Sequence, residues 1–151
     1  MSHTTTLKSV AIRDVRALRQ AAQKLKSKGV NCELVANSKP RMYSARQSEK
    51  CDYVLKLNEG QYDVGFKKQQ DGTYAPVFDE YQRHVANQIG ADVNVCPMPN
   101  SQEGRAQHQI GQFMQAYTEA AAVNAAVAQG YAVENSTVDA EGNVHLTLGG
   151  M

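Results

Sequence analysis

SKGVNCEL, residues 27–34, is echoed a hundred residues later by AQGYAVEN, residues 128–135. Each has a Gly, an apolar residue, any residue, Cys or Val, then Glu. A Gly just past an apolar-periodic segment takes the left-handed conformation that ends a helix. Upstream of the first copy, RDVRALRQAAQKLKSKG (13–29) places Val15, Leu18, Ala22 and Leu25 at helical spacing, with Asp14 as the cap. Upstream of the second copy, a long helix is predicted from about Arg105 to Gln129, with Gly130 as its stop. Each copy leads into a strand and then another, DYVLKL (52–57) or VHLTL (144–148). TTTLKSVAI (4–12) alternates polar and apolar residues and reads as a strand ahead of the first helix. Strand–helix–strand–strand, occurring twice, implies an α+β two-layer sandwich with two main helices on one face of a mainly antiparallel sheet.

Between the copies, QYDVGFKKQ (61–69) and TYAPVFD (73–79) read as further strands. Glu59-Gly60 and Asp71-Gly72 are the turn signals between them. EYQRHVANQIG (80–90) reads as a short helix closed by Gly90, and ADVNVCPMPNSQEG (91–104) as a loop. The chain of 151 residues, 42% hydrophobic and 21% charged, fits one domain, 1–151, able to bury its own core.

Net charge is +1, yet the halves differ sharply. Residues 1–50 hold eleven Lys or Arg against three acids, a balance of +8, and the remainder has a balance of −7. The first helix carries Arg13, Arg16, Arg19, Lys24, Lys26 and Lys28 on its outward side. This asymmetry implies an anionic partner for one face, or two halves that neutralise each other on folding.

Cys32, Cys51 and Cys96 show neither disulfide-framework nor zinc spacing, so free, buried thiols in a reducing compartment are expected. The N-terminus lacks a basic-then-apolar signal pattern, and no apolar run is long enough to span a bilayer. A cytoplasmic protein without a cofactor or a metal site follows. The long helix is alanine-rich, and Glu119 is its only acid or base between Arg105 and Gly130, His108 aside. Such a helix rarely faces water along its whole outer side, so the segment 105–129 is expected to mediate homo-oligomer formation or to be covered by the chain itself.

KPRMYSARQSEK (39–50) supplies the candidate ligand-binding set: Lys39, Arg41, Arg46 and Lys50 as cations and Tyr43 as a ring for stacking. A nucleotide, a nucleic acid or an acidic protein surface fits these groups. A solvated charged loop is the alternative. A catalytic alternative lies in two His-x-Thr elements, His3 with Thr5 and His145 with Thr147. A two-histidine phosphodiesterase needs both imidazoles on one phosphate, one as base and one as acid. If the first and last strands pair, His145 falls several residues from His3, which argues against that geometry. Asp79-Glu80 with Arg83 and His84 has the spacing of helix-stabilising pairs.

YDVGF (62–66), DGTYAPVFD (71–79), AQGYAVEN and AEGNVHLTL (140–148), in this order after an opening MSH, resemble the Ycf-thirty-five-like family. Its members are conserved reading frames of plastids and cyanobacteria, with bacterial and phage relatives. The resemblance implies a domain of unknown function with no catalytic residues to carry over. Because some relatives are encoded beside an AAA-type ATPase, it also implies an accessory or adaptor role. The chain departs from that pattern in having no Trp and in ending Gly149-Gly150-Met151.

Overall fold

In the computed structural model, the described residues are 4–6, 11–43, 49–91, 101, 105, 108–138 and 144–149. Five strands form one antiparallel sheet: β1 (Thr4–Thr6), β2 (Cys32–Ser38), β3 (Cys51–Leu57), β4 (Val64–Lys68) and β5 (Tyr74–Asp79). Their spatial order is β1-β5-β4-β3-β2. Helix α1 (Val15–Ser27) follows β1, and a 3₁₀ turn (Tyr81–Arg83) and α2 (His84–Ile89) follow β5. The long helix α3 (Gly111–Ala128) precedes a hairpin of β6 (Ala132–Val138) and β7 (Val144–Gly149). The fold is α+β, as expected, but among the described residues β6 and β7 pair only with each other and make a second, two-stranded sheet.

Local chemistry accounts for the helix ends. The Asp14 carboxylate accepts the Ala17 N–H at 3.0 Å and caps α1. At the other end, Gly29 has φ 99°, Val30 N–H donates to Leu25 C=O, and Gly29 N–H donates to Lys26 C=O. Helix α3 ends with the same two bonds, Tyr131 to Ala126 and Gly130 to Val127, around Gly130 at φ 93°. Both are Schellman caps, so the echo at 27–34 and 128–135 is a repeated helix–Gly–strand–strand unit. Among the described residues, the element ahead of α3 is α2 and not a strand.

The helices cover one face of the large sheet. Across the register Leu55, Val64 and Phe78 lie in line and point inward, with Phe66 one pair along. They meet Leu18, Ala21 and Leu25 of α1 and Phe113 of α3, all at most 1% exposed. The Phe66 and Phe113 rings sit 5.3 Å apart and tie α3 to the sheet. Lys28 lines a groove with Gln112, Lys24 pairs with Glu119, and Gln20 meets Asn124. Rising numbers on α1 thus meet falling numbers on α3, so the two helices run antiparallel.

α3 begins later than the alanine-rich pattern implies. Arg105, His108 and Gln109 are helical, but Ile110 leaves the helix and is fully buried. The cause is non-local. Ala91 docks on this turn, its N–H bonding the His108 carbonyl at 2.8 Å. A Cβ on Gly111 would come within 2.7 Å of Ala91 Cβ. Low charge on α3 also has a physical reason: α1 covers one side and the β6–β7 hairpin another.

The second face of the sheet is crossed by residues 39–43. Gly65 lies between the inward-facing Val64 and Phe66, so it faces away from the helices. Its position is closed by Pro40 and Cys51, because a Cβ there would stand 2.6 Å from Cys51 Sγ and 3.0 Å from Pro40 Cγ. The expected basic loop is therefore, over 39–43, a strap packed on the sheet, with Pro40 and Met42 buried.

Candidate anion-binding surface

Helix α1 sorts its residues by side. Ala17, Leu18, Ala21, Ala22 and Leu25 enter the core, while Gln20 and Lys24 turn toward α3. Arg19, Ala22, Gln23 and Lys26, spaced i, i+3, i+4 and i+7, line a groove against Cys32, Glu33 and Leu34 of β2. Among the described residues, Arg16, Lys26 and Lys28 enter no ion pair. The Arg19 guanidinium lies 5.6 Å from the centre of the Tyr53 ring, a cation–π distance. Tyr53 in turn meets Tyr74 edge-on at 5.7 Å. Glu33 borders the groove from a strand position whose side chain alternates away from α1, and it stands opposite Lys56 in the register.

On its other side α1 is neutralised. Lys24 bonds Glu119 of α3, and Glu119 also accepts from Ser136 Oγ of β6 at 2.9 Å. The Lys24 hydrogen bond, with help from Ser136, holds the Glu119 carboxyl below its ordinary range against the opposing effect of burial. A carboxyl depressed in the folded state stabilises the fold above its unfolded pKa, and this is lost as pH falls through the folded value. Glu119→Gln therefore lowers the melting temperature at neutral pH, and its gap from wild type closes below about pH 4. Thermal melts from neutral pH into the acid range read both effects.

The residues singled out in the loop meet different fates. Arg41 is committed to the fold, with Nε and Nη2 donating to the two Asp63 oxygens at 3.0 and 2.8 Å. Nη2 also bonds the Leu57 carbonyl at 2.8 Å. Asp63 is fully buried and additionally takes the Arg41 and Leu57 main-chain N–H groups. Lys39, Tyr43 and Lys50 are exposed, and the Tyr43 N–H bonds Asp79 at 3.0 Å. Arg46 lies outside the described residues. Lys67, adjacent in space, pairs with Glu49.

Thr5 and Thr147, one from each His-x-Thr element, belong to separate sheets. Thr5 pairs in register with Phe78 on β5, so β1 joins the large sheet and not the last strand. His145 is exposed on β7 opposite Thr137, with Thr147 opposite Asn135. His3 lies outside the described residues. Of the cysteines, Cys32 and Cys51 are buried free thiols, and burial pushes both thiols up. Cys96 lies outside the described residues. Asp79 is buried, Glu80 accepts from Gln109, and His84 stacks edge-on to Tyr62 at 5.0 Å. Among the described residues, no three His, Cys, Asp or Glu side chains gather as a metal site. No described helix is long and apolar enough to cross a membrane.

Charge counting alone finds the basic helix. It misses the groove, which exists only because β2 is an edge strand lying beneath α1. It also misses the Arg41–Asp63 bond, for which the only signal is an acid in YDVGF between apolar strand residues.

The fold thus defines a small α+β protein with a basic helix laid over a sheet edge. Within that class the chain belongs to the family described as "Protein of unknown function (DUF1257)", which it matches over residues 25–147. No curated protein and no solved structure matches it. Arg13, Arg16, Arg19 and Lys24 precede the matched segment.

Proposed function

We propose that this protein is a non-enzymatic binding or adaptor module that holds an anionic partner on the basic face of α1. The carrying observation is the row of cations at the α1–β2 groove, where Arg19 and Lys26 enter no ion pair among the described residues. The groove favours an acidic polypeptide over a nucleotide or single-stranded nucleic acid. Stacking needs a free ring beside the cations. Here the Tyr53 ring is occupied by Arg19 and Tyr74, while Tyr43, 61% exposed, belongs to the strap on the opposite face of the sheet.

The order of motifs supports placing the chain in the Ycf-thirty-five-like branch of its family, and with it an accessory role beside an AAA-type ATPase. Self-association through α3 is the second part of the proposal. Its exposed apolar end, Val127, lies close in sequence to Tyr131, and Leu148 is also exposed. Sedimentation at increasing concentration tests this part: a dimer is expected, and a monomer throughout overturns it.

Charge reversal tests the main reading. The triple variant Arg16→Glu, Arg19→Glu, Lys26→Glu is expected to retain its melting temperature within a few degrees, since these side chains are exposed. Its affinity for fluorescent polyglutamate is expected to fall at least about tenfold, and wild-type affinity to fall steeply with salt. Equal affinity of variant and wild type overturns the reading.

A further inference from the structure

We infer that the acidic partner binds as an added β-strand on the open edge of β2, an inference that rests on the reading above and specifies it. β2 ends the sheet order, so one side of its backbone has no strand beside it among the described residues. The register says which groups are offered there. Asn58 N–H donates to the Asn31 carbonyl at 3.0 Å, one pair beyond Cys32↔Leu57. In an antiparallel ladder alternate residues bond inward. Glu33 and Val35 therefore bond to β3, and Leu34 and Ala36 aim their N–H and C=O groups outward, while Cys32, next in the alternation, is buried. The partner strand gives an independent check. Leu57, paired with Cys32, sends its own N–H to Asp63 and its carbonyl to Arg41, away from β2.

The open edge is short and bounded. Asn37 adopts a left-handed φ of 49°, which breaks the extended run after Ala36. Glu33 to Ala36 offers about 13 Å of edge, enough for a segment of about four residues. Such a strand alternates its side chains. One set rises into the groove lined by Arg19, Gln23 and Lys26, and the other lies on the Glu33 and Val35 side. The fitting sequence therefore carries Asp or Glu at every second position, with uncharged residues between, because Glu33 repels a second acidic row. A second copy of this chain fits badly. Pairing two β2 edges brings two basic α1 helices together, and like charges oppose that contact.

The test uses the unmodified chain and three fluorescent probes. The first is a peptide of about seven residues alternating Glu with Val or Thr. The second is the same peptide N-methylated at alternate residues, which keeps the charge and removes the pairing N–H groups. The third is an oligothymidine. The plain peptide is expected to bind and to slow hydrogen exchange of the Leu34 and Ala36 amides at least about tenfold. N-methylation on the pairing side is expected to weaken binding by a similar factor. Equal binding of both peptides, unchanged exchange at Leu34 and Ala36, or tighter binding of oligothymidine overturns strand addition while leaving an anion-binding face. Failure of all three probes and of polyglutamate overturns the anionic reading itself, and strand addition with it.

Discussion

Asp63→Ala lowers the unfolding free energy by about 3 kcal/mol, a drop of roughly 6–12 °C in melting temperature for a chain of this size. The carboxylate is fully buried and accepts from four donors: Arg41 N, Nε and Nη2, and Leu57 N. These fasten the strap at 39–43 to the end of β3 and the start of β4. Alanine leaves the two main-chain N–H groups without an acceptor, and each such loss costs about 1–3 kcal/mol. The guanidinium, about half exposed, recovers part of its solvation in water. Arg41→Lys is expected to cost less, about 1–2 kcal/mol. It removes the two-pronged contact but leaves Asp63 its main-chain donors. Urea melts of both variants give the comparison, and equal losses would contradict this assignment of the stabilisation.

Phe113→Ala removes about 3–5 kcal/mol, the range for deleting a buried aromatic ring. Phe113 is 1% exposed and is the ring through which α3 meets Phe66 of the sheet. The β6–β7 hairpin bonds to no other described strand and packs on α3, so loosening α3 loosens the hairpin as well. The variant should therefore raise amide exchange in β6 and β7 as well as in α3, which hydrogen exchange measures directly. Phe113→Leu, closer in volume, is expected to cost under half as much.

Signals confined to a few neighbouring residues were legible in the chain. Asp14 caps α1, Gly29 and Gly130 close the two long helices, and Gly72 turns the β4–β5 hairpin at φ 86°. In each case one residue's conformational preference decides the outcome. What escaped the sequence depends on partners far along the chain. Nothing in VHLTL says whether that strand joins the large sheet or pairs only with β6. α3 starts at Gly111 because Ala91 docks on the turn before it. The strap at 39–43 is ordered by Asp63, 22 residues further on.

The candidate site divides the same way. Arg16, Arg19 and Lys26 were visible as charge at helical spacing. That Arg19 and Lys26 overlook the open edge of β2 follows only from the strand order. Arg41, an equally plausible cation in the sequence, turns inward to a buried acid that no periodicity reveals.

Amide chemical shifts recorded while polyglutamate is titrated into the protein test the central claim most directly. The largest changes are expected on Arg19, Gln23 and Lys26 of α1 and on Cys32, Leu34 and Ala36 of β2. Changes confined to the strap and to Lys67 on the opposite face of the sheet, or no changes at all, would contradict it.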